Sequence, residues 1–307
     1  GDHRDLHVRS RRQRQMCIRD SIYTGEIIAM HSSPSFDPNL FLFGISQDDW
    51  QLIRNNPLKP LVNKTLSGLY SPGSTIKPIV ALSALENDVV STNFKVNCSG
   101  KTEMYGQTYH CWKKEGHGVV DLKAAMKVSC DTYFYEVARK LGVDRLKKTA
   151  VKFGLGERVL NEVYSNEKKG LVPDTKWKKN ALGKGWVIGE TLITGIGQGY
   201  LQTTPLQLCL MTAQIANGGY RIYPRITVNE EDEKIEDIKL QIEKNYKNHN
   251  ETKKGLTEAT EQIFSFIKEK RHEALYRNPE NIKFVQNAMF VSTNEAVSYT
   301  HLTLPTT

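Results

Sequence analysis

Residues 69–80 read Leu69-Tyr-Ser-Pro-Gly-Ser-Thr-Ile-Lys-Pro-Ile-Val80, and the organisation of the chain can be worked out from them. The Pro72-Gly73 pair predicts a turn that delivers Ser74 to the start of a helix. An apolar run over residues 76–85 follows, which is typical of a helix buried in the protein interior. This segment therefore predicts a buried helix that carries a serine at its N-terminal end.

Ser74 and Lys77 are three residues apart, so on a helix their side chains lie on the same face. A serine hydroxyl is a weak nucleophile unless a base takes its proton, and a lysine can be that base when burial keeps its amine neutral. Unpaired N–H groups at the helix N-terminus would stabilise an oxyanion formed there. The pair predicts acyl-transfer chemistry, although a helix cap followed by a solvated lysine has the same pattern.

A second polar group of residues, Ser129-Cys-Asp131, lies at a predicted helix junction farther along the chain. A hydroxyl beside an acyl-transfer serine can relay a proton to a leaving amine. A polar side chain two residues later can orient the lysine and hold the backbone of a substrate. On its own, this pattern is an ordinary helix cap.

The remaining elements follow from apolar spacing and from turn residues. We expect a turn and short strand over residues 23–30, and a Gly-rich crossing over residues 190–199. Residues 92–118 show no strong period. Helices are predicted over residues 122–128, 131–141, 143–153 and 205–216, and helical spacing returns over residues 261–276. The densely charged residues 229–256 predict a solvated surface insertion.

Composition limits the classes of function. The 307 residues are 39% hydrophobic and carry 42 basic against 34 acidic side chains, a net charge of +8. This charge is weak and spread out, so the sequence predicts no nucleic-acid surface. No run of about 18 apolar residues occurs that would predict a membrane span.

Several segments together match the motifs of one protein family, in that family's order and spacing. They are Ser33-Pro-Ser-Phe-Asp-Pro-Asn39, Gly44-Ile-Ser46, Tyr70-Ser-Pro-Gly-Ser-Thr-Ile-Lys-Pro78, Ser129-Cys-Asp-Thr-Tyr-Phe-Tyr-Glu136, and Gly195-Ile-Gly-Gln-Gly199 followed by Thr203-Thr-Pro205. With them, residues 23–294 resemble the transpeptidase domain of the elongation-specific class B penicillin-binding proteins, the penicillin-binding protein 2 family of Gram-negative rods.

The resemblance implies an α/β (α+β) fold of the penicillin-binding-protein transpeptidase and serine β-lactamase-like class. In this fold a central antiparallel sheet is flanked by helices, and an all-helical lobe completes the domain. The Ser74 helix would lie buried between the sheet and the lobe.

The resemblance also implies a role for each polar residue of the two groups. Ser74 is similar to the nucleophile that becomes acylated, Lys77 to the base that activates it, and Ser129 to the serine that shuttles the proton. Asp131 stands where most relatives have asparagine, a difference that elongation-type members often show. An aspartate beside Lys77 favours the protonated lysine, so how acylation proceeds with this pair is left open.

The reaction that the resemblance implies is attack on the penultimate D-alanine carbonyl of a peptidoglycan stem pentapeptide. Terminal D-alanine leaves, and the acyl group passes to an amine of a neighbouring stem; β-lactams acylate the same serine. The implied setting is cell-wall elongation at the periplasmic face of the bacterial inner membrane. There, an N-terminal anchor outside these residues would hold the enzyme beside a shape-determining glycosyltransferase partner.

Three alternatives remain open from the sequence. The septal enzyme of the same family is disfavoured by the Ser-Cys-Asp motif and by a loop rich in cysteine and histidine. A serine β-lactamase requires a deacylating base, which the sequence does not reveal. A non-enzymatic β-lactam sensor would become acylated and remain so.

One family motif, Lys-Ser/Thr-Gly, is absent from the 307 residues. In the family, its strand completes the oxyanion hole and binds the substrate carboxylate. Family order would place it just after Asn294, so we expect a truncated transpeptidase domain over residues 22–295 with impaired acylation. Residues 1–21 and 296–307 resemble translated adaptor sequence, and we expect them to be a non-native head and tail.

The cysteines suggest a metal site. Cys98, Cys111, His117 and Cys130 supply three thiols and one imidazole, a donor set suited to four-coordinate zinc. Elongation-type family members resemble the chain here too, with zinc held at matching offsets from the Ser-x-Asp motif. His110 and Asp121 are the substitutes if one ligand is wrong.

Two other states of these cysteines remain open. A Cys98–Cys111 disulfide is compatible with an oxidising periplasm, and free thiols are the third possibility. Cys209, in the apolar helix over residues 205–216, is expected to be a core residue.

Overall fold

The computed structural model describes residues 16–160, 166–227 and 273–294. Within these residues the strands are β1 (Met16–Asp20), β2 (Ile27–Ser32), β3 (Val96–Cys98), β4 (Lys101–Met104), β5 (Gln107–His110) and β6 (Gly118–Val120). The helices are α1 (Gln47–Arg54), α2 (Lys64–Ser67), α3 (Lys77–Glu86), α4 (Leu122–Lys127), α5 (Asp131–Leu141), α6 (Val143–Lys152), α7 (Thr175–Leu182), α8 (Ile188–Gly195), α9 (Pro205–Ala216) and α10 (Pro279–Asn294). Short 3-10 turns lie at Pro38–Phe41 and Gly73–Ile76.

The helix predicted after Ser74 is present, and it is preceded by a tighter turn. The 3-10 turn Gly73–Ile76 runs directly into α3. Gly73 has a φ of 56°, in the left-handed region that favours glycine. Pro78 is the second residue of α3, where its missing N–H breaks no helical hydrogen bond. The turn therefore leaves Ser74 at the N-terminal end of a helix.

Helix α3 lies at the centre of the main hydrophobic core, as its apolar sequence predicts. Ile79, Val80 and Leu82 are fully buried, and the helix packs against α5, α6 and α10. From α5, the fully buried rings of Tyr133 and Phe134 belong to the same core. Burying each large apolar side chain contributes about 1.5–3 kcal/mol, so packing fixes the position of α3 and of the serine that precedes it.

The predicted junction between α4 and α5 is also present. Asp121 caps α4, because its Oδ1 accepts a hydrogen bond from the Ala124 N–H at 2.8 Å. Ser129 then turns the chain with a φ of 50°, and α5 begins at Asp131. Gly142, with a φ of 77°, ends α5 as predicted.

The described strands form three antiparallel pairs, β1–β2, β3–β6 and β4–β5. The mixed fold class is confirmed. The resemblance implies a large central antiparallel sheet, but within the described ranges each sheet has two strands, and an isolated parallel bridge joins Glu26 to Arg225. Three of the strands lie within residues 92–118, where the sequence shows no period, and a fourth begins at Gly118. Strands of three or four residues are too short to show one.

The folded part of the chain begins earlier than the sequence predicts. Strand β1 lies inside residues 1–21, which the sequence predicts to be a non-native head, and pairs with β2. Its Ile18 packs against a small apolar cluster formed by Leu66, Leu160 and Leu206. The strand was missed because its five residues include only three apolar ones and alternate between partly buried and exposed positions. Residues 1–15 and the predicted tail, 296–307, lie outside the described residues.

Other elements differ in detail from the prediction. The Gly-rich crossing predicted over residues 190–199 overlaps a helix, α8, which ends at Gly195. Helix α9 matches its predicted bounds, and Thr204 caps it by accepting from the Gln207 N–H. The charged insertion and residues 261–272 lie outside the described residues, whereas Ala274 forms a bridge with Tyr220 rather than a helix. In the part of the chain that the structure describes, none of the helices combines the length and apolarity needed to cross a bilayer.

Candidate active site

Ser74 lies in the wall of an open cleft of about 530 Å³. The Gly73–Ser74 turn forms one part of this wall, and the Ser129–Asp131 corner forms another. Trp112, from the segment after β5, and Gln198, from the segment after α8, also line the cleft. Ser74 is exposed while Lys77 is buried, so the serine faces the cleft and the lysine lies behind it.

The structure brings together all four polar residues singled out from the sequence. Lys77 Nζ donates hydrogen bonds to Asp131 Oδ1 at 2.7 Å and to Ser129 Oγ at 2.9 Å. Ser129 Oγ in turn donates to Ser74 Oγ at 3.0 Å. The lysine therefore reaches the serine through the hydroxyl of Ser129, a connection that the three-residue spacing of Ser74 and Lys77 does not reveal.

Two opposing effects set the charge of Lys77. Its side chain is only 3% exposed, and this burial lowers the pKa of the amine from its ordinary value of 10.5. The ion pair with Asp131 acts in the opposite direction, because a nearby carboxylate favours the ammonium form. Burial is the larger effect, so the neutral amine becomes accessible at a lower pH than for an exposed lysine. The ring of Phe134 also lies near the amine, with its centroid 5.3 Å from Nζ.

Ser129 adopts a backbone conformation that is unusual for a residue with a side chain. Its φ of 50° lies in the left-handed region, which costs about 1–2 kcal/mol for residues other than glycine. Its carbonyl accepts from Lys77 Nζ at 2.9 Å. Strained backbone of this kind is concentrated at functional sites, where surrounding contacts hold it in place.

The Gly-rich segment after α8 supports the turn that carries Ser74. The Gly73 N–H donates to the Gly197 carbonyl at 2.9 Å. Gly197 has a φ of 78°, and a Cβ at this position would lie 2.0 Å from the Gly73 carbonyl oxygen. Only glycine fits this close approach of two backbones.

A cluster of three cysteines and one histidine lies beside this corner. Cys98, Cys111, His117 and Cys130 offer ligand atoms that all lie within 4.8 Å of one another. His117 Nδ1 is 3.6 Å from Cys98 Sγ and 3.5 Å from Cys111 Sγ. The cluster could therefore hold a metal ion.

Two thiols of this cluster, those of Cys111 and Cys130, have pKa values shifted in opposite directions. A hydrogen bond between the two thiols lowers the pKa of Cys111 and raises the pKa of Cys130. In the described part of the chain, His117 Nε2 is a buried side-chain atom without a hydrogen-bond partner. The Nδ1 atom of the same histidine faces the sulfurs of Cys98 and Cys111.

The two substitute ligands predicted from the sequence, His110 and Asp121, do not belong to the cysteine–histidine cluster. Asp121 is engaged as the cap of α4, and His110 is exposed and contributes to the wall of the cleft. Cys98 and Cys111 are free thiols in the structure, as are the other three cysteines. The sequence places Gly197 only within a family motif and gives Trp112 no role, because the importance of both residues comes from contacts between distant segments.

Known proteins give an independent comparison. The sequence matches the family described as penicillin binding protein transpeptidase domain over residues 21–275. It is 40% identical over 205 residues to the peptidoglycan D,D-transpeptidase MrdA of Acinetobacter baumannii, which covers 66% of this chain and 30% of that protein.

Two solved structures are also similar. Pseudomonas aeruginosa PBP2 in complex with WCK 5153 has a TM-score of 0.71 and 34% identity, covering 90% of this chain and 56% of that one. PBP2 of Helicobacter pylori in complex with MreC has a TM-score of 0.66 and 35% identity, and the match covers 70% of this chain and 40% of that one.

The chain spans about a third of the length of the curated relatives that it matches. The PBP2 and MrdA relatives confirm the resemblance drawn from the sequence motifs. Because the family match extends across most of the 307 residues, this chain belongs to the penicillin-binding protein transpeptidase domain family.

Proposed function

We propose that this chain performs the acyl-serine chemistry of a peptidoglycan D,D-transpeptidase, with Ser74 as its nucleophile. The observation that carries the proposal is the series of hydrogen bonds from Lys77 Nζ through Ser129 Oγ to Ser74 Oγ, at 2.9 and 3.0 Å. The name and identity of the Acinetobacter baumannii relative support the same activity. The substrate class is a stem peptide that ends in D-Ala-D-Ala.

The proton of Ser74 is proposed to reach Lys77 through the hydroxyl of Ser129. When Lys77 is neutral, both serine hydroxyls can rotate, so that Ser74 donates to Ser129 and Ser129 donates to the amine. Ser74 Oγ then forms a bond to the carbonyl carbon of the penultimate D-alanine, and its proton passes through Ser129 to Lys77. As the C–N bond breaks, Lys77 returns a proton by the same route to the nitrogen of the leaving D-alanine.

The start of the helix offers one donor to the developing oxyanion. Ser74 is the second residue of the 3-10 turn, and the first N–H groups of a helix have no partner within it. In the family, the Lys-Ser/Thr-Gly strand supplies the second donor and binds the substrate carboxylate. Since the 307 residues lack that motif, we expect weak peptide binding and slow acylation.

Asp131 is assigned to orienting the lysine. Its Oδ1 accepts from Lys77 Nζ at 2.7 Å, and its side chain is 14% exposed. This contact holds the amine beside Ser129 while it favours the ammonium form, so Asp131 opposes the burial that makes Lys77 a base.

The cellular process proposed for this activity is cell-wall elongation. Stem peptides and β-lactams are the expected small partners, at the periplasmic face of the inner membrane. The complex of Helicobacter pylori PBP2 with MreC supports a shape-determining protein as a partner. A shape-determining glycosyltransferase is the second proposed partner.

We further assign zinc to the cysteine–histidine cluster. A tetrahedral zinc ion with Zn–S bonds of about 2.3 Å and a Zn–N bond of about 2.0 Å separates sulfur from nitrogen by about 3.5 Å. The distances from His117 Nδ1 to Cys98 Sγ and Cys111 Sγ are 3.6 and 3.5 Å, which supports this fit. Cys98, Cys111, His117 and Cys130 would hold the ion, which would cross-link the segments around the Ser129–Asp131 corner.

The proposed activity is tested with a synthetic stem pentapeptide ending in D-Ala-D-Ala. We expect slow release of D-alanine by the parent chain and none by Ser74→Ala. Release that is unchanged in Ser74→Ala would contradict the proposal. Ser67→Ala is the matched control, because Ser67 donates to the Asn166 carbonyl outside the cleft.

The same preparation distinguishes the alternatives. A serine β-lactamase would hydrolyse penicillin in many turnovers and release no D-alanine from the peptide. A sensor would hold one penicillin as a stable acyl group and likewise leave the peptide intact. Either result would replace the transpeptidase proposal.

A further inference from the structure

Trp112 contacts the same two groups that Lys77 contacts. The Ser129 carbonyl accepts from Lys77 Nζ at 2.9 Å and from Trp112 Nε1 at 3.1 Å. The Asp131 carboxylate accepts from Lys77 Nζ on Oδ1 at 2.7 Å, and from the Trp112 N–H on Oδ2 at 3.1 Å. The corner between α4 and α5 is thus held by a lysine and by a tryptophan that bind the same pair of acceptors.

A further hydrogen bond ties Trp112 to the end of α4. Trp112 Nε1 also lies 3.0 Å from the Val128 carbonyl, immediately before the strained Ser129. Two successive carbonyls therefore converge on one indole N–H. Such an arrangement fixes the peptide plane between Val128 and Ser129, and with it the direction in which the Ser129 side chain leaves the backbone.

The Trp112 indole is also held in position by a contact with the His117 ring. Its ring meets the ring of His117 edge to face, with centroids 5.3 Å apart, and Trp112 follows Cys111 in the chain. The side chain is 54% exposed and lies in the wall of the cleft. An exposed tryptophan whose N–H points inward to two carbonyls is poorly explained as a simple core residue.

We infer that Trp112 is a positioning residue for the proton relay of the proposed acyl transfer. Its indole and backbone N–H groups hold Ser129 and Asp131 so that the Ser129 hydroxyl lies between Lys77 and Ser74. The inference rests on the proposed function, but it concerns the reactivity of Ser74 toward any electrophile. It can therefore be tested without peptide or penicillin recognition.

A fluorophosphonate probe provides that test. Ser74 Oγ forms an O–P bond while the P–F bond breaks; fluoride leaves, and the serine proton passes through Ser129 to Lys77. Peptide mapping by mass spectrometry locates the adduct, and the concentration dependence separates the maximal rate of inactivation, kinact, from the apparent binding constant, KI. A positioning role affects kinact, whereas loss of a contact with the reagent affects KI.

Trp112→Phe keeps a ring and the backbone N–H but removes the indole donor. We expect kinact to fall by about tenfold to a hundredfold, as small misplacements of reacting groups do, while KI stays within about twofold. Trp186→Phe is the matched control, since its indole N–H donates to Thr191 Oγ1 at 2.8 Å beside a different cavity. Both kinetic constants of that variant should stay close to those of the parent chain.

A second variant covers the case in which Trp112→Phe fails to fold. Replacement of Trp112 by β-(3-benzothienyl)alanine keeps the bicyclic shape and the contact with His117, but replaces the N–H by sulfur. Its kinact should fall as in Trp112→Phe, in protein that remains folded. A kinact equal to that of the parent, or a rise in KI alone, would overturn the inference.

The outcomes separate this inference from the proposed function. If Ser74 reacts with the fluorophosphonate but not with penicillin or peptide, the proposed function fails, and the Trp112 comparison still decides the inference. If penicillin acylates Ser74 while Trp112→Phe matches Trp186→Phe, only the inference fails. If Ser74 of the parent chain does not react with the fluorophosphonate, the relay does not activate it, and both fail.

Discussion

The hydroxyl oxygen of Ser129 lies 3.0 Å from the hydroxyl oxygen of Ser74. The first residue belongs to the junction between α4 and α5, and the second to the turn before α3. Lys77, the first residue of α3, contacts the Ser129 hydroxyl through Nζ at 2.9 Å. Activation of Ser74 therefore depends on a residue from a distant segment, and the predictions below follow from that dependence.

Removing the Ser129 hydroxyl should break the relay. In Ser129→Ala we expect acylation of Ser74 to slow by about 10²–10⁴-fold, the usual contribution of a positioned acid–base group. The rate is measured with a fluorescent penicillin or with a fluorophosphonate. The control Ser67→Ala removes a hydroxyl that donates to the Asn166 carbonyl, and its rate should match that of the parent. Equal rates in Ser129→Ala and Ser67→Ala would exclude Ser129 from the relay.

The pH dependence of acylation should report on Lys77. Burial lowers the pKa of this amine and Asp131 raises it, so removing the carboxylate charge lowers the pKa further. Because only the neutral amine accepts a proton, the rising part of the rate–pH curve should move to lower pH in Asp131→Asn. The same curve is measured for Asp144→Asn, which neutralises a carboxylate bound to Thr175. A move to higher pH in Asp131→Asn would contradict this account of Lys77.

The contact between Gly197 and Gly73 should be intolerant of any side chain. In Gly197→Ala the new Cβ would lie 2.0 Å from the Gly73 carbonyl oxygen, at a φ of 78°. We expect the free energy of unfolding to fall by about 2–3 kcal/mol, measured by urea denaturation. Gly183→Ala is the control, because Gly183 has a φ of 65° with nothing within 4 Å, and it should lose only about 1 kcal/mol. Equal losses in the two variants would show that the close approach is unimportant.

Zinc should accompany the purified chain. The cluster of Cys98, Cys111, His117 and Cys130 predicts one zinc per chain by elemental analysis, with a lower melting temperature after chelation. His117→Ala should lose most of the metal, because it removes one of four ligands. His110→Ala should keep the metal, because His110 is exposed in the wall of the cleft. Retention of full zinc by His117→Ala would remove histidine from the ligand set.

Much of the helical framework could be predicted from local sequence. The apolar run after Ser74, the glycine that ends α5 and the capping threonine before α9 each carry their own signal. Local rules of capping and periodicity suffice there, because neighbouring residues determine the outcome. The strands around Cys98 and Cys111 have three or four residues, and pairing with distant partners rather than local pattern defines them.

The members of the candidate site and, through the family resemblance, the proton-shuttle role of Ser129 are predicted from the sequence, whereas the contacts of Trp112 are not. Ser74, Lys77, Ser129 and Asp131 were named from motifs, and the structure brings them together. The contacts of Trp112 with this corner depend on how the segment after β5 folds back onto it. No periodicity within a single segment encodes such an encounter.

The most direct test of the central claim is to locate the acyl group after reaction with a fluorescent penicillin. Peptide mapping of the parent chain should find slow labelling at Ser74, at less than one equivalent. Labelling should disappear in Ser74→Ala and in Lys77→Met, while Ser67→Ala should be labelled like the parent. Label on another residue, or label that persists in Ser74→Ala, would contradict the assignment of Ser74 as the nucleophile.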